Sequence, residues 1–198
     1  MNLLKPKFWG GNNLIVFFLW PLTLITRLII LIKNKKIPYK SNISTICVGN
    51  IYLGGTGKTP LVIKINQILK KKNKTFVIKK NYKNQVDEQI LLKKRTNLIL
   101  PKYRIDGLKK VEKSKKNIAI FDDGLQDKSI KYSISIVCFN SIAGIGNGNL
   151  LPAGPLREDL SELKNYNAVF INGKKNINLI KEIKKNNKNI KIFSGNYY

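Results

Sequence analysis

The amino-acid sequence predicts an α/β protein: a mostly parallel β-sheet between helices, preceded by an amino-terminal apolar membrane helix. Three observations carry this prediction. From Ser44 onward, short continuous apolar runs alternate with helical segments, as expected of strands buried on both faces. A glycine-rich stretch, "VGNIYLGGTGKTP" (residues 48–60), stands between one such strand and a helix. An apolar run from Leu14 to Ile32 precedes both.

That run, "LIVFFLWPLTLITRLIILI", is interrupted only by two threonines, Arg27 and Pro21. At about 1.5 Å per helical residue it nearly matches a hydrocarbon core of about 30 Å. It predicts a membrane helix, with Arg27 snorkelling toward the basic cluster Lys33, Lys35 and Lys36, and Phe8, Trp9 and Trp20 at the interface. No small-residue cleavage site follows, which argues against a secretory leader.

The elements then follow in order. "STICV" (44–48) reads as a strand, and Gly57 to Lys72 as a helix with Leu61, Ile65, Ile68 and Leu69 on its apolar face. Strands are expected at 75–79, 97–100, 117–123, 134–139 and 168–173, with helices at 87–95 and 104–116. The tail from Lys174 holds one more helix and the short strand "IKIF". Such an alternation places a parallel sheet between helical layers.

The chain has 198 residues, 37 Lys+Arg against 11 Asp+Glu and a formal net charge of +26, which draws it to anionic partners. Much of the lysine lies in Asn/Ile/Lys-rich runs, so composition alone does not choose the partner. Nucleic acid is not expected, because the charge comes without aromatic interleaving or a recognition motif. Cys47 and Cys138 fall within predicted strands and read as buried thiols of a reducing compartment.

Chemistry concentrates in four stretches. A phosphate loop needs glycines that let backbone N–H groups surround a phosphate, a lysine for its outer oxygens, and a hydroxyl for Mg²⁺. Gly54, Gly55, Gly57, Lys58 and Thr59 supply these, within a nucleotide-binding segment that also takes in Tyr52, Leu53 and Thr56. Tyr52 stands where the usual pattern has its first glycine. The loop makes the expected fold P-loop NTPase-like. "IAIFDDG" places Asp122 and Asp123 at the end of a buried strand, where Mg²⁺ would be held directly or through water. In "VDEQILLKK", Asp87 and Glu88 open a helix; the dipole accounts for acids there, and so does a role as base (Asp87) and metal or water ligand (Glu88). "GIGNGNLLPAGPLRE" (144–158) is a glycine- and proline-rich loop with Asn147 and Arg157 as substrate-loop candidates.

These four motifs, in this order behind an apolar amino-terminal helix, resemble the tetraacyldisaccharide 4'-kinase family, the lipid A 4'-kinases. The resemblance implies transfer of the γ-phosphoryl of ATP to the 4'-hydroxyl of a tetraacyl glucosamine disaccharide 1-phosphate, an anionic glycolipid. It implies Mg²⁺ at Thr59, Glu88, Asp122 and Asp123, with Asp87 and Lys58 as catalytic residues. The implied place is the cytoplasmic face of the inner membrane, with no protein partner known. The alternative is a membrane-bound ATP- or lipid-binding protein with impaired turnover. On this reading residues 1–36 form the membrane-associated helix and its basic flank, and residues 37–198 a kinase domain expected to be truncated at its carboxyl end.

Departures from the family pattern are local. "KKNYK" (79–83) stands in place of Ser-Arg-Gly-Tyr-Gly, Gln89 replaces a proline, and Asp127 stands where a histidine usually follows the glutamine. The chain has no histidine to partner Asp87. Related NTPase classes fit less well. A partitioning ATPase carries a lysine where Leu53 stands, and a GTPase needs an Asn-Lys-x-Asp tetrapeptide that does not occur.

Overall fold

The computed structural model describes residues 5–11, 13–34, 37–113 and 117–197. In chain order the elements are a 3-10 turn at Lys7–Gly10, α1 (Leu14–Leu19), α2 (Leu22–Asn34), β1 (Tyr39–Lys40), β2 (Ser44–Gly49), α3 (Lys58–Leu69), β3 (Lys74–Lys79), α4 (Val86–Arg95), β4 (Leu98–Ile99), α5 (Arg104–Val111), β5 (Asn117–Asp122), β6 (Ile130–Lys131), β7 (Ile134–Asn140), a 3-10 helix at Leu160–Asn165, β8 (Ala168–Asn172), α6 (Ile177–Asn186) and β9 (Lys191–Gly195).

Seven strands form one sheet in the order β4-β3-β5-β2-β7-β8-β9, and every pairing in it is parallel. The strands are apolar throughout because successive side chains enter two different cores. Cys47, Ile78, Phe121 and Val137 join Leu108 and Val111 of α5 and Leu179 and Ile183 of α6 on one face. Val48, Val77, Ile120 and Cys138 meet Leu61 and Val62 of α3 and Leu92 of α4 on the other. Both cysteines are buried free thiols, as expected, and burial pushes them up, Cys138 to about 12.

Two sequence expectations change. On α3 the buried positions are Thr59, Leu61, Val62 and Asn66, with Asn66 Oδ1 accepting from the Thr75 hydroxyl at 2.7 Å, while Ile68 is exposed. The second change concerns the apolar run. It is not one helix: α1 ends at Leu19 and α2 begins at Leu22. Pro21 has no N–H for the helical ladder, and the Trp20 carbonyl instead accepts from both N–H and Oγ1 of Thr23, at 2.9 and 2.6 Å. Neither piece approaches the length of a hydrocarbon core, and among the described residues no helix is long and apolar enough to cross a membrane. Lys35 and Lys36 of the basic flank, and residues 114–116 of the helix expected after Arg104, lie outside the described residues.

The helical pair is tied to the long 144–158 loop. Trp9 Nε1 donates to Pro152 O at 3.1 Å, Asn147 N to Trp9 O at 2.9 Å, and the Thr26 hydroxyl to Leu151 O at 2.7 Å. Val16 and Thr23 are buried, whereas Leu14, Phe17, Phe18, Ile25, Leu28 and Leu31 are exposed.

Candidate active site

The site forms where the central strands end. β2 lies between β5 and β7, and its carboxyl end runs into the glycine loop that opens α3. Val48 pairs with Asp122 of β5, and Asp122 in turn pairs with Lys79 of β3. Register alone therefore brings a phosphate loop, an aspartate pair and a lysine to one edge, the usual place for ligands in open parallel sheets.

The loop has the conformation its composition demands. Gly57 caps α3 at φ 82° and Gly54 sits at φ 134°, both at positive φ values that residues with a side chain rarely adopt. Asn50 fixes the entry, its Nδ2 donating to the carbonyls of Tyr52 and, at 3.1 Å, Gly54. A cavity of about 440 Å³ opens above the loop, lined by Leu53 to Thr59 together with Asn50, Glu88, Asp123 and Arg157. The Thr56 hydroxyl is buried without a hydrogen-bond partner. Free N–H groups at the start of α3, an orphaned hydroxyl and Lys58 fit a phosphate chain.

The charged groups behind the loop form two ion-pair groups of three residues each. Asp123, at φ 57°, accepts from Arg157 Nη1 at 3.0 Å and lies 3.9 Å from Lys58 Nζ. Burial alone would raise its carboxyl, but Lys58 and then Arg157 outweigh that and hold it below the ordinary value. Asp122 is fully buried, and desolvation raises its carboxyl against the opposing pull of Lys79. Lys79 Nζ donates to Asp122 Oδ2 at 2.8 Å and to Glu88 Oε2 at 2.7 Å. Burial would lower that ammonium, but Asp122 more than compensates and raises it.

The expected metal ligands thus meet, but around a lysine. Thr59 Oγ1 lies 3.2 Å from Asp122 Oδ2 and 3.5 Å from Glu88 Oε2, the two oxygens that Lys79 already holds. Asp123, the fourth expected ligand, is taken by Arg157 and Lys58. Among the described residues no three acidic, histidine or cysteine side chains converge as a metal cage. The donors as arranged are engaged by Lys79, Lys58 and Arg157 and do not fit a directly coordinated Mg²⁺.

Other candidates fall differently. Asp87 stands exposed in the first turn of α4, outside the cavity lining, without a hydrogen bond or ion pair among the described residues. Tyr52 does not line the cavity; it is buried with Leu150 and Leu156 in a small cluster under the long loop. Asn147 organises that loop, donating to Ala153 O at 2.9 Å and accepting from Asn149 N at 3.1 Å. Arg157 does reach the cavity, but as the partner of Asp123 and of Asn50 Oδ1, at 3.0 Å each. Asp127 pairs with the buried Arg104 at 3.4 Å, and Arg104 also donates to the Asp123 carbonyl.

Sequence reasoning missed three contributors. Asn50 carries a signal, an amide between a buried strand and a glycine loop. Lys79 closes an apolar strand and reads locally as a solvated end. Tyr197, whose hydroxyl donates to Gly57 O at 3.1 Å, is brought in only by the position of β9.

Comparison with known proteins agrees with this geometry. Residues 15–197 match the family described as Tetraacyldisaccharide-1-P 4'-kinase. The chain is 50% identical to the tetraacyldisaccharide 4'-kinase of Pelagibacter ubique over all of its own length and 64% of that protein, and 37% identical to that of Wigglesworthia glossinidia brevipalpis, with 87% and 55% covered. It therefore spans somewhat over half the length of these relatives. Its fold is similar to the crystal structure of LpxK from Aquifex aeolicus in complex with ATP, with a TM-score of 0.68, 24% identity, and 80% of this chain and 59% of that one covered. A more distant likeness is to the hydrogenase maturation factor HypB from Archaeoglobus fulgidus, with a TM-score of 0.52, 13% identity, and 89% and 88% covered. A phosphate loop at the edge of a parallel sheet, an aspartate pair on the neighbouring strand and a match over nearly the whole chain lead to one assignment: this chain belongs to the tetraacyldisaccharide-1-P 4'-kinase family.

Proposed function

We propose that the chain is the nucleotide-binding part of a tetraacyldisaccharide 4'-kinase. The reaction is transfer of the γ-phosphoryl of ATP to the 4'-hydroxyl of a tetraacylated glucosamine disaccharide 1-phosphate. The bond from the γ-phosphorus to its bridging oxygen breaks, a bond to the sugar oxygen forms, ADP leaves, and the hydroxyl proton is released. The observation that carries this reading is the cavity above Gly54 to Thr59, with Lys58 on its wall in a chain of this family.

Each residue has a physical task. The N–H groups at the start of α3 and the Lys58 ammonium stabilise charge on the phosphate oxygens as the bridging bond loosens. Asp123, kept ionised by Lys58 and Arg157, fixes the lysine's position. Asp87, exposed beside the cavity-lining Glu88, is the base that orients the accepting hydroxyl and takes its proton late. The exposed apolar faces of α1 and α2 lie in the bilayer interface on the cytoplasmic side, where a lipid acceptor presents its sugar.

The test is mass spectrometry of the disaccharide 1-phosphate lipid after incubation with this chain, ATP and magnesium. A gain of one phosphate is expected, lost with Lys58→Ala, while Asp87→Asn lowers kcat far more than it changes ATP affinity. Undiminished ATP binding by Lys58→Ala, or an unchanged kcat in Asp87→Asn, overturns the corresponding assignment.

A further inference from the structure

The lysine at the end of β3 occupies the position where a phosphate-loop protein is expected to hold its metal. Lys79 is 1% exposed, and its ammonium touches the same two oxygens, Asp122 Oδ2 and Glu88 Oε2, that face the Thr59 hydroxyl. A magnesium ion bound directly to this set needs oxygen ligands at about 2.0–2.1 Å, and so needs those oxygens for itself. Moving the ammonium aside would leave a buried cation without its carboxylates. Strand register fixes it further, since Lys79 pairs with Asp122 across β3 and β5. Asp122 Oδ1 is the one buried carboxylate oxygen here left without a partner, and it offers a single ligand.

Charge balance points the same way. Asp122 and Glu88 pair with Lys79 in one group, and Asp123 pairs with Lys58 and Arg157 in a second, so three carboxylates face three cations. Summed over the two groups the charges balance before any ligand arrives, so the rim as a whole offers a dication no excess of negative charge.

We infer that Lys79 is a tethered cation that substitutes for a protein-bound divalent ion, and that a divalent metal enters this site only on the phosphates of the nucleotide. The inference deepens the kinase reading and rests on it only in taking the loop as a nucleotide site. Its test needs neither lipid nor turnover, so failure here leaves that reading standing.

The probe is Mn²⁺, titrated into the nucleotide-free chain and followed by electron paramagnetic resonance of the free ion. The parent is expected to bind no stoichiometric Mn²⁺ up to about 1 mM, because its oxygens are occupied. Lys79→Ser and the volume-preserving Lys79→Met are expected to gain one site at least about tenfold tighter than any in the parent. A parent that binds one Mn²⁺ as tightly as the variants overturns the inference, and so do two folded variants that gain no site. A second measurement needs no variant. The protected Lys79 ammonium, followed by ¹⁵Nζ magnetic resonance, should persist when Mn²⁺ is added without nucleotide, and its paramagnetic loss would refute the assignment.

Discussion

The sheet's carboxyl rim and the amino-terminal helical pair use charge and apolar surface in opposite ways. At the rim, charged groups are buried and matched: Lys79 and Asp122 are almost fully enclosed, and Arg157 and Asp123 largely so. In α1 and α2 the apolar side chains face outward, with Phe18 75% and Leu14 78% exposed, and Arg27 meets Asp159 in the open. An enclosed ion pair is costly to break, because the survivor keeps its desolvation penalty. An exposed apolar face contributes little to folding and much to association with an apolar phase. The rim is therefore where substitution costs stability, and, on the membrane seating proposed above, the helical pair is where it costs attachment.

The largest effect expected on this contrast is at Asp122. Asp122→Ala leaves the buried Lys79 ammonium with the half-exposed Glu88 in place of two carboxylates and should lower unfolding free energy by about 3 kcal/mol, measured by urea denaturation. A loss below about 1 kcal/mol would show that Lys79 escapes to solvent and that the rim is looser than described.

Next comes the outward face. Replacing Phe18 and Ile25 with aspartate should reduce co-sedimentation with anionic vesicles in high salt by at least about tenfold, since each buried side chain is worth about 1.5–3 kcal/mol. The urea midpoint should stay where it was, because both side chains are already exposed. A fall in midpoint with unchanged vesicle binding would reverse the roles of the two regions.

The smallest effect sharpens the comparison most directly. Arg157–Asp123 and Arg27–Asp159 have the same 3.0 Å separation, yet the second pair is roughly half exposed. Arg27→Ala should cost less than about 1 kcal/mol, and Arg157→Ala about 1–2 kcal/mol. Asp123 is held below its ordinary value of 3.8, so its contribution is present above that pH and is lost as pH falls through the lower folded value. The gap between the parent and Arg157→Ala should accordingly be constant near neutral pH and close on the acid side. Equal costs for the two arginines, or a gap independent of pH, would count against the distinction.

Much of the fold was legible because strands buried on both faces need unbroken apolar runs, and glycine, asparagine and lysine clusters punctuate them. The paired strands Tyr39–Lys40 and Ile130–Lys131 were not, since two residues carry no period and exist only through their partner. The apolar run misled in another way: its composition outweighed one proline, and that proline set the break. At the site, the glycine loop and aspartate pair declared themselves locally. Lys79 could not, because its burial depends on register with Asp122, 43 residues away in the chain. Asn147 is expected as a substrate-loop candidate because loop amides serve turns and ligands alike, and what the structure adds is its bonding within the turn.

The long loop joins two structures at once. Through Trp9 it holds the 3-10 turn ahead of α1 and through Thr26 it holds α2, while the Leu53 N–H donates to Pro155 O at 2.8 Å and the Arg157 N–H to Ile51 O at 2.7 Å beside the glycine loop. The two ends of this brace stand only a few residues apart, with little slack between them. Under the proposed seating of α1 and α2 on a bilayer, such a brace would work as a height gauge. It would set how far above the lipid plane the proposed phosphoryl donor is held, so that an acceptor would be selected by how far its hydroxyl stands out of the membrane as well as by its chemistry.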